Sequence, residues 1–535
     1  MARRAPTAFG ASTKLLVAVV ASVAVLGLVT AAMVLPGVRG IVGTPGGDVR
    51  DYVARQVVGI ANAYLHPEID FETSAYEAPG TFRLLGATLT GADGTRVIDV
   101  EALTITLGKV PRVGEPIVIE RVALEGGTVR LVFDETDGPK AFDPFVKRDP
   151  TDEAEEQEVE ENFRLSNVLE LRNIDISGVD LVYETAGEAE PMRLDALELA
   201  LDIQPAGEPG WYEASIDAGR EPGLTLDSVG RFNVDEGLFD FETSTARADL
   251  GAETRRSLPP QLRGFLESRD ARGSAELTFS GRLPIASFEK ADLAFALRGS
   301  GVNLAAGEYR LPLDALEVDA DLDGGNVTVS RIDANLLGGT LAGSGQGNIA
   351  AEPPAGDLRW SITNVELREF LRTKPGGDEP PKLAGRTTGS GVLTFSRAAG
   401  GGIDLGGRGK LDVVDGRLVA IPIIPELTKV IADGGGGDGS LDHELQTTFN
   451  VHSENVELTE AKLTTSAIVA RGTGTIGYDG ALDLSLNAGP LEKLQSLLGK
   501  VGDIFGKITD QLVKYRVKGT VDDPNVSVAP LGIGG

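Results

Sequence analysis

The chain has 535 residues and a formal net charge of −30 at pH 7, with 41% hydrophobic but only 5% aromatic residues. Such an acidic chain is not expected to bind nucleic acid generally, because phosphate binding needs a basic face. The absence of cysteine excludes disulfides and thiolate metal sites. The 69 glycines follow no strict period, which favours turns between many short strands over a fibrous repeat.

The first predicted element is a membrane span over residues 15–35, LLVAVVASVAVLGLVTAAMVL, which contains no charged residue. At 1.5 Å per residue this stretch reaches roughly 31 Å, the thickness of a bilayer core. Basic residues dominate the segment before it, which places the N-terminus, residues 1–14, in the cytoplasm. A cleaved signal peptide is the alternative, since residues 30–32 are small, but the apolar run is long for one and favours an uncleaved anchor.

A second helix is predicted over residues 48–66, where apolar side chains recur at helical spacing. Asp48 is suited to its N-cap, and Pro67 marks its end. This amphipathic helix links the membrane span to the rest of the chain.

From Ile69 onward, apolar and polar residues alternate with a period of two. This pattern is typical of antiparallel strands that have one apolar face and one solvated face. The predicted fold class is therefore mainly β. An N-terminal transmembrane helix is followed by an elongated, curled antiparallel sheet that forms a groove, with a few short helices.

Turns and irregularities of the sheet are also predicted. The change of parity between Val327 and Leu336 predicts a bulge near Ser330 and Arg331. Asp-Gly pairs predict hairpin turns at 93–94, 323–324, 415–416 and 479–480.

Few segments show helical periodicity after residue 66. Short helices are predicted at 257–270, 364–373 and 424–433. A longer amphipathic helix is predicted over 490–515, with Pro490 suited to its first turn.

The acidic run DPTDEAEEQEVEEN, residues 149–162, interrupts the strand pattern. It lacks the alternating ligand spacing of a calcium loop. We interpret it as a solvated linker or loop tip.

The stretch GTGTIG, residues 472–477, matches the glycine pattern of dinucleotide-binding loops. Such a loop needs a helix that begins on the glycines, so that the helix N-terminus faces the pyrophosphate. Here a hairpin turn and an alternating strand follow instead. We therefore predict that the glycines shape a curled sheet, where they permit bulges and close strand approach.

The sequence offers no recognisable catalytic constellation. Its three histidines, His66, His443 and His452, show no zinc-ligand spacing, and no G-x-S-x-G nucleophile motif occurs. The prediction is a protein that is not an enzyme, with no catalytic, cofactor-binding or metal-binding residues. An enzyme whose carboxylates or histidines come together only in space remains an alternative.

Several stretches resemble the AsmA-like family of envelope proteins when they are taken in order. They are PIVIERVALEGGTVRLVFDETDG, VLELRNIDISGVDLVYE, GGNVTVSRIDANLLGGTLAGSGQGNI, NVELREFLRTK with LAGRTTGSGVLTFS, GKLDVVDGRLVAIPIIPEL, RGTGTIGYDGALDLSL and the ending YRVKGTVDDPNVSVAP. With the N-terminal anchor, the resemblance covers most of residues 15–530. Residues 205–290 match poorly, and the acidic run is a departure.

The resemblance implies a single-pass protein of the bacterial inner membrane, with its body in the periplasm. Relatives contribute to outer-membrane biogenesis, and the wider group resembles the chorein-type bridge proteins that conduct lipids. The chain is accordingly divided into a cytoplasmic N-terminus (1–14), an anchor (15–35), a linking helix (48–66), an N-terminal AsmA-like β region (67–148), an acidic linker or loop (149–163), a central β region (164–350) and a C-terminal AsmA-like β region (351–535) that includes the helix at 490–515.

The expected function is lipid binding or lipid transfer through a hydrophobic β groove, without catalysis. Phospholipid or another acyl lipid is the expected ligand, and an outer-membrane or other envelope protein is a hypothetical partner. An assembly factor for outer-membrane proteins is the alternative, and a secreted envelope enzyme is a second one. The candidate groove residues are Leu197, Leu199, Leu201, Leu293, Phe295, Leu297, Leu336, Leu482, Leu484 and Leu486.

Overall fold

The computed structural model describes part of the chain, and the predicted span at 15–35, the helices at 48–66 and 424–433 and the acidic run lie outside it. No helix in the described part is long and apolar enough to cross a membrane. The described residues are 68–134, 138–139, 169–373, 384–417, 443–490 and 513–528, except for short gaps at 79, 92–93, 110–116, 186–191, 221–222, 234, 256, 259, 285–289, 307–308, 352, 398–402, 466–467 and 521–523.

The described residues are mainly β, as the alternating pattern predicts, and most neighbouring strands pair antiparallel. The chain divides into two compact units, Met1–Phe295 and Ala296–Gly535. The boundary falls within strand β15 (Asp292–Ala306).

The described part of the first unit contains two short helices, α1 (Ala252–Arg255) and α2 (Pro260–Ser268), in the connection between β13 and β14. Its strands are β1 (Glu68–Asp70), β2 (Thr73–Ala78), β3 (Thr81–Thr90), β4 (Arg96–Leu107), β5 (Ile117–Glu125), β6 (Thr128–Asp134), β7 (Gly138–Pro139), β8 (Leu169–Leu171), β9 (Asn173–Thr185), β10 (Met192–Pro205), β11 (Trp211–Arg220), β12 (Leu224–Asn233), β13 (Leu238–Asp249) and β14 (Arg272–Pro284).

Strands β5 and β6 act as one long strand with a kink at Gly126 and Gly127. Both pair antiparallel with β4, and both pair parallel with the strand that β8 and β9 form. Both glycines have positive φ angles of 60° and 88°, a region open to glycine. A β-carbon at Gly127 would collide with the backbone of Asp99 and Val100, so the kink also requires close strand approach.

The N-terminal part of the first unit has a well-formed aliphatic core. The side chains of Ile119, Val122 and Ile174 have no solvent exposure, and Ile105 has 1%. Full burial of such a side chain stabilises the fold by about 1.5–3 kcal/mol. These residues lie on β4, β5 and β9, at or beside the parallel pairing, so the core stabilises this part of the sheet.

Among the described residues of the second unit, strand pairings join neighbours in sequence, and each is antiparallel. The helix found there is α3 (Leu367–Arg372), where the ring of Phe370 stacks on Tyr309 with centroids 4.7 Å apart. Its strands after β15 are β16 (Tyr309–Asp323), β17 (Asn326–Leu336), β18 (Gly339–Asn348), β19 (Ala355–Glu366), β20 (Ala384–Arg397), β21 (Ile403–Arg417), β22 (His443–Val451), β23 (Asn455–Thr464), β24 (Ile468–Gly477), β25 (Ala481–Pro490), β26 (Val513–Thr520) and β27 (Pro524–Val528).

Several local predictions are confirmed. Helices occur within 257–270 and 364–373. The pairing of β17 shifts register between Val329 and Ile332, which is the predicted bulge. Hairpin turns occur at Asp323 and at Asp479.

Two local predictions are wrong. Asp415 and Gly416 lie inside β21, not in a hairpin turn. Asp415 has a φ of 50° where the register to β22 shifts, so the pair forms a bulge in a continuing strand.

The predicted bounds of the helix over 490–515 are wrong, because Pro490 ends β25 and Val513–Tyr515 belong to β26. Alternation at Tyr515 and Val517 decides in favour of a strand, and residues 491–512 lie outside the described part.

Candidate functional site

The candidate site in the second unit is the apolar face of its sheet. Strand register places apolar or glycine residues opposite one another from β17 to β27. At about 4.8 Å between strands, such a row extends on the order of 48 Å. The central row consists of Ile332, Gly343, Trp360, Gly391, Gly409, Phe449, Leu458, Gly474, Leu484, Val517 and Val526.

A flanking row on each side continues this face, and Trp360, Thr447 and Tyr515 are the only side chains in the three rows with a polar group. One flanking row is Val329, Gly345, Leu358, Leu393, Gly407, Val451, Val456, Ile476, Leu482, Gly519 and Pro524. The other is Ala334, Leu341, Ile362, Gly389, Leu411, Thr447, Ala461, Gly472, Leu486, Tyr515 and Val528. We refer to the three rows together as the apolar strip.

Large rings lie over glycines in the middle of the apolar strip. A β-carbon at Gly391 would lie 2.9 Å from Trp360 Cζ2 and 2.5 Å from the carbonyl oxygen of Arg408. One at Gly409 would lie 2.6 Å from Phe449 Cζ and 3.1 Å from the same Trp360 atom. The glycines therefore provide space for the rings and let the next strand approach closely on this face.

The GTGTIG stretch has the same role. Gly472 and Gly474 lie opposite Leu486 and Leu484 across the β24–β25 pairing. A β-carbon at either glycine would collide with the facing leucine or with the backbone beside it. The stretch forms the end of strand β24, and strand β25 follows it. The helix that a dinucleotide-binding loop requires does not follow these glycines.

Side chains in the middle of the apolar strip are only half-buried. They include Leu358, Trp360, Leu393, Leu411 and Phe449, whereas the full burial typical of a core is confined to separate small clusters. A strip of half-buried apolar side chains is the kind of surface that binds a ligand or a partner.

The first unit carries a row of contacting aromatic rings, some stacked and some edge-to-face or tilted, on the same side as its buried leucines. Successive centroids are 5.2–6.4 Å apart, within the range of favourable ring contacts. Burial, with the carboxylates of Glu170 and Asp235, raises the pKa of Tyr212 to about 12. The row consists of Tyr212, Phe232, Phe239, Phe241, Phe279 and Phe295.

Sequence reasoning missed most of this aromatic row. Only Phe295 was among the candidate residues, because aromatics are rare in the whole chain. The available signal was local: Phe232, Phe239 and Phe241 are spaced so that two successive strands present them to one face.

The candidate groove residues lie on four strands, β10, β15, β17 and β25. Leu197, Leu199 and Leu201 lie on one face of β10, and Leu293 with Phe295 follow on β15 in the first unit. In the second unit, Leu482, Leu484 and Leu486 belong to the apolar strip. Leu336 lies in a buried cluster with Leu313 and Val365, and Leu297 is half-buried on β15. Leu482 and Leu484 are 7% and 6% exposed, so they pack in a core cluster with Val517.

The opposite face of both units is polar and carries cross-strand ion pairs. In the first unit, Arg247 contacts Asp227 at 3.0 Å and Glu276 at 2.9 Å. These charges are exposed, and such pairs contribute about 0.2–1 kcal/mol each. The sheet thus separates a solvated face from the apolar strip and the aromatic row.

Serine, histidine and aspartate come together at one end of β21 and β22, beside a cleft of about 540 Å³. Ser453 Oγ donates a hydrogen bond to Asp404, while His452 Nε2 lies 3.5 Å from Glu457 Oε2. A hydrogen bond from Asn450, and then one from His452, lower the pKa of Glu457. The imidazole is therefore directed at Glu457, and the Ser453–His452 hydrogen bond of a nucleophilic site is not formed.

The other two histidines are the remaining candidates for chemistry. His443 is buried, with 2% exposure, and His66 lies outside the described residues. Within the described ranges, no cluster of three or more histidines and carboxylates could hold a metal ion.

Comparison with known proteins adds no assignment. A scan against protein-family models finds no match, and a search of curated proteins finds none either.

Proposed function

We propose that this chain is a membrane-anchored lipid-binding or lipid-transfer protein of the bacterial envelope, without catalytic activity. In this proposal residues 15–35 anchor it in the inner membrane and the sheet curls into a hydrophobic groove in the periplasm. The resemblance to the AsmA-like family in several ordered stretches, from the strands near 117 to the ending near 528, supports the same assignment.

The observation that carries the proposal is the apolar strip of the second unit. Apolar or glycine residues continue across the strands from β17 to β27, and the middle ones stay half-buried. An acyl chain needs a continuous apolar surface, whereas its headgroup can remain in water. The apolar strip provides the continuous surface, and a headgroup that extends beyond the strip can remain in water.

The energetics favour an acyl ligand. Burial of a methylene group gains about 0.8 kcal/mol, so even a partly covered chain of ten methylenes would gain several kcal/mol. The glycines at 391 and 409 keep this surface free of β-branched side chains that would narrow it.

The alternative function, an assembly factor for envelope proteins, is favoured by the edge strand β27. Its sequence PNVSV contains no charged residue, and among the described strands it pairs with β26 alone. Natural edge strands usually carry charges that discourage pairing with another chain. An uncharged edge suits strand addition by a partner protein.

The chain's two tryptophans allow a direct test, because one lies on the apolar face of its own unit and the other on the polar face of its own unit. Trp360 belongs to the apolar strip, whereas Trp211 lies on the polar face of β11 with the Arg231 guanidinium 5.0 Å from its ring centroid. The full chain would be reconstituted in nanodiscs of brominated or unbrominated phospholipid. Trp211→Phe leaves Trp360 as the reporter, and Trp360→Phe leaves Trp211.

We expect brominated lipid to quench Trp360 strongly and Trp211 little, because bromine quenches by contact. Equal quenching of the two reporters, or none in either, would overturn the lipid assignment. In the second case, with folding confirmed by circular dichroism, the assembly-factor alternative would be favoured.

A further inference from the structure

The polar face of the second unit is electrically asymmetric. Strand β16 at one side presents Asp314, Glu317, Asp319, Asp321 and Asp323. Arg331 on β17 offsets part of this charge through contacts of 2.8 Å to Glu317 and 3.9 Å to Asp319. The opposite side of the same unit is basic, although the whole chain carries a net charge of −30.

The basic side consists of exposed cationic residues on β26. Lys514, Arg516 and Lys518 alternate along this strand with the buried residues Tyr515 and Val517. We call Lys514, Arg516 and Lys518 the basic patch.

The contacts within the sheet do not neutralise the basic patch. Asp483 is the carboxylate that the patch contacts, at 3.5 Å from Arg516 and 4.0 Å from Lys518, and all three side chains are about half exposed or more. Lys514 has no ion pair among the described residues. Exposed pairs of this length are weak, so most of the positive charge faces solvent.

Flat, lysine-rich surfaces fit diffuse anionic charge better than a single bidentate ligand, because lysine acts as a mobile point charge. Two exposed valines lie at one end of the β26–β27 pair, on the face opposite the basic patch: Val513 is 44% exposed and Val528 is 56% exposed. Val513 directly precedes Lys514, so this end of the pair exposes apolar and cationic side chains together, as surfaces at the headgroup level of a bilayer do. This combination favours a bilayer over an acidic protein segment.

We propose that the basic patch docks the C-terminal strands of this protein on an anionic bilayer surface. This docking does not depend on lipid occupying the apolar strip. It would hold the last strands of the second unit against a membrane that carries phospholipids of negative charge.

The test uses the full chain in nanodiscs of phosphatidylcholine, which fixes the predicted anchor in a neutral bilayer. These nanodiscs are mixed with separate vesicles of phosphatidylcholine alone, or with 30% phosphatidylglycerol, and co-flotation is measured. We expect binding to the anionic vesicles only, and its loss at high salt, since surface charges are screened beyond a few ångströms there.

The variant Lys514→Gln, Arg516→Gln, Lys518→Gln should bind the anionic vesicles about 100-fold more weakly, given the usual contribution of a lysine or arginine near such a surface. The matched control Arg359→Gln, Arg408→Gln, Lys410→Gln removes the same charge from exposed positions on the polar face of β19 and β21 and should bind normally. Asp483→Asn should strengthen binding about fivefold, which keeps the test decisive if the triple variant does not fold.

Three results would overturn the proposal. They are no binding of the unmodified chain to anionic vesicles, an equal loss in both triple variants, and binding to a polyglutamate peptide without binding to vesicles. The last result would assign the patch to an acidic protein partner. Since the readout is docking between bilayers, failure here leaves the tryptophan quenching result unaffected.

Discussion

At the scale of single residues, the glycines beneath Trp360 have a steric role. Gly391 cannot accept a β-carbon without moving the ring of Trp360 or the backbone of Arg408, which would lie 2.9 Å and 2.5 Å away. Forced overpacking of this kind typically costs about 1–3 kcal/mol.

Gly391→Ala should therefore lower the free energy of unfolding of the second unit by about 1–3 kcal/mol. Chemical denaturation followed by circular dichroism would measure it. The matched control is Ser390→Ala, the neighbouring residue on the polar face, which should change stability by less than about 0.5 kcal/mol. Equal effects of the two substitutions would contradict the steric role.

A second prediction at this scale concerns Tyr212 and the pH dependence of stability. Burial, with Glu170 and Asp235 nearby, raises its pKa to about 12 from the ordinary value near 10. Between these values the folded state keeps a proton that the unfolded state has lost. Stability should therefore fall as the pH rises from about 10 towards 12.

Tyr212→Phe should remove this part of the alkaline destabilisation. Thermal melts of the variant and the unmodified chain between pH 9 and pH 12 would be compared, and the gap between them should change with pH. Tyr478→Phe, at a tyrosine that is 56% exposed, is the control and should leave the pH profile unchanged. A constant gap for Tyr212→Phe would refute the assignment.

At the scale of elements, the alternation of apolar residues predicted most strands and their apolar faces. Leu482, Leu484 and Leu486 lie on one face of β25 because side chains alternate along a strand whatever its neighbours are. The bulge at Ser330 was predictable for the same reason, since an extra residue shifts the parity of the pattern.

Other features of the sheet depend on which strands pair and in which register, and no local sequence pattern specifies this. Asp415 and Gly416 match a hairpin signal, but β21 continues because β20 and β22 pair with it on both sides. Likewise, the rings of Trp360 and Phe449 meet over Gly409 only through the register of four strands, β19 to β22. The parallel pairing of β5 and β6 with β8 and β9 is also non-local, and alternation is the same in parallel and antiparallel edges.

That parallel pairing yields a prediction about chain length. The long strand runs from Ile117 to Asp134, and Leu169 begins its parallel neighbour beside Ile117. Strand β7 places Pro139 beside Phe133, so residues 140–168 must span from there to Leu169, a distance of about 53 Å at 3.3 Å per residue. About 16 extended residues are the minimum for this span.

Deletion of residues 153–161, the centre of the acidic run, leaves about 20 connecting residues and should preserve the first unit, with little change in its melting temperature. Deletion of 141–162 leaves about 7 residues, which reach only about 23 Å, and should prevent the parallel pairing. The control replaces 141–162 with a Gly-Ser segment of equal length and should fold. If the shorter deletion alone unfolds the unit, the acidic run has a structural role beyond its length.

At the scale of the whole molecule, each of the two compact units has its own apolar surface. The first has the aromatic row that includes Phe241, and the second has the apolar strip that includes Leu411. Both side chains are half-buried, in contrast to Leu482 and Leu484, which pack in a core. Aspartate at the half-buried positions therefore probes lipid binding with less risk to folding.

If both surfaces bind lipid, each unit should contribute its own share of the phospholipid that co-purifies with the full chain. Phe241→Asp and Leu411→Asp should each reduce the bound lipid in native mass spectrometry to about half, and the double variant should lose nearly all of it, because charge beside an acyl chain is costly. Val229→Asp and Val414→Asp are matched controls at exposed valines of the polar face, with 51% and 42% exposure. A double variant that keeps its lipid while both controls behave normally would show that acyl chains bind elsewhere. Loss of all lipid in one single variant would instead locate the site in that unit alone.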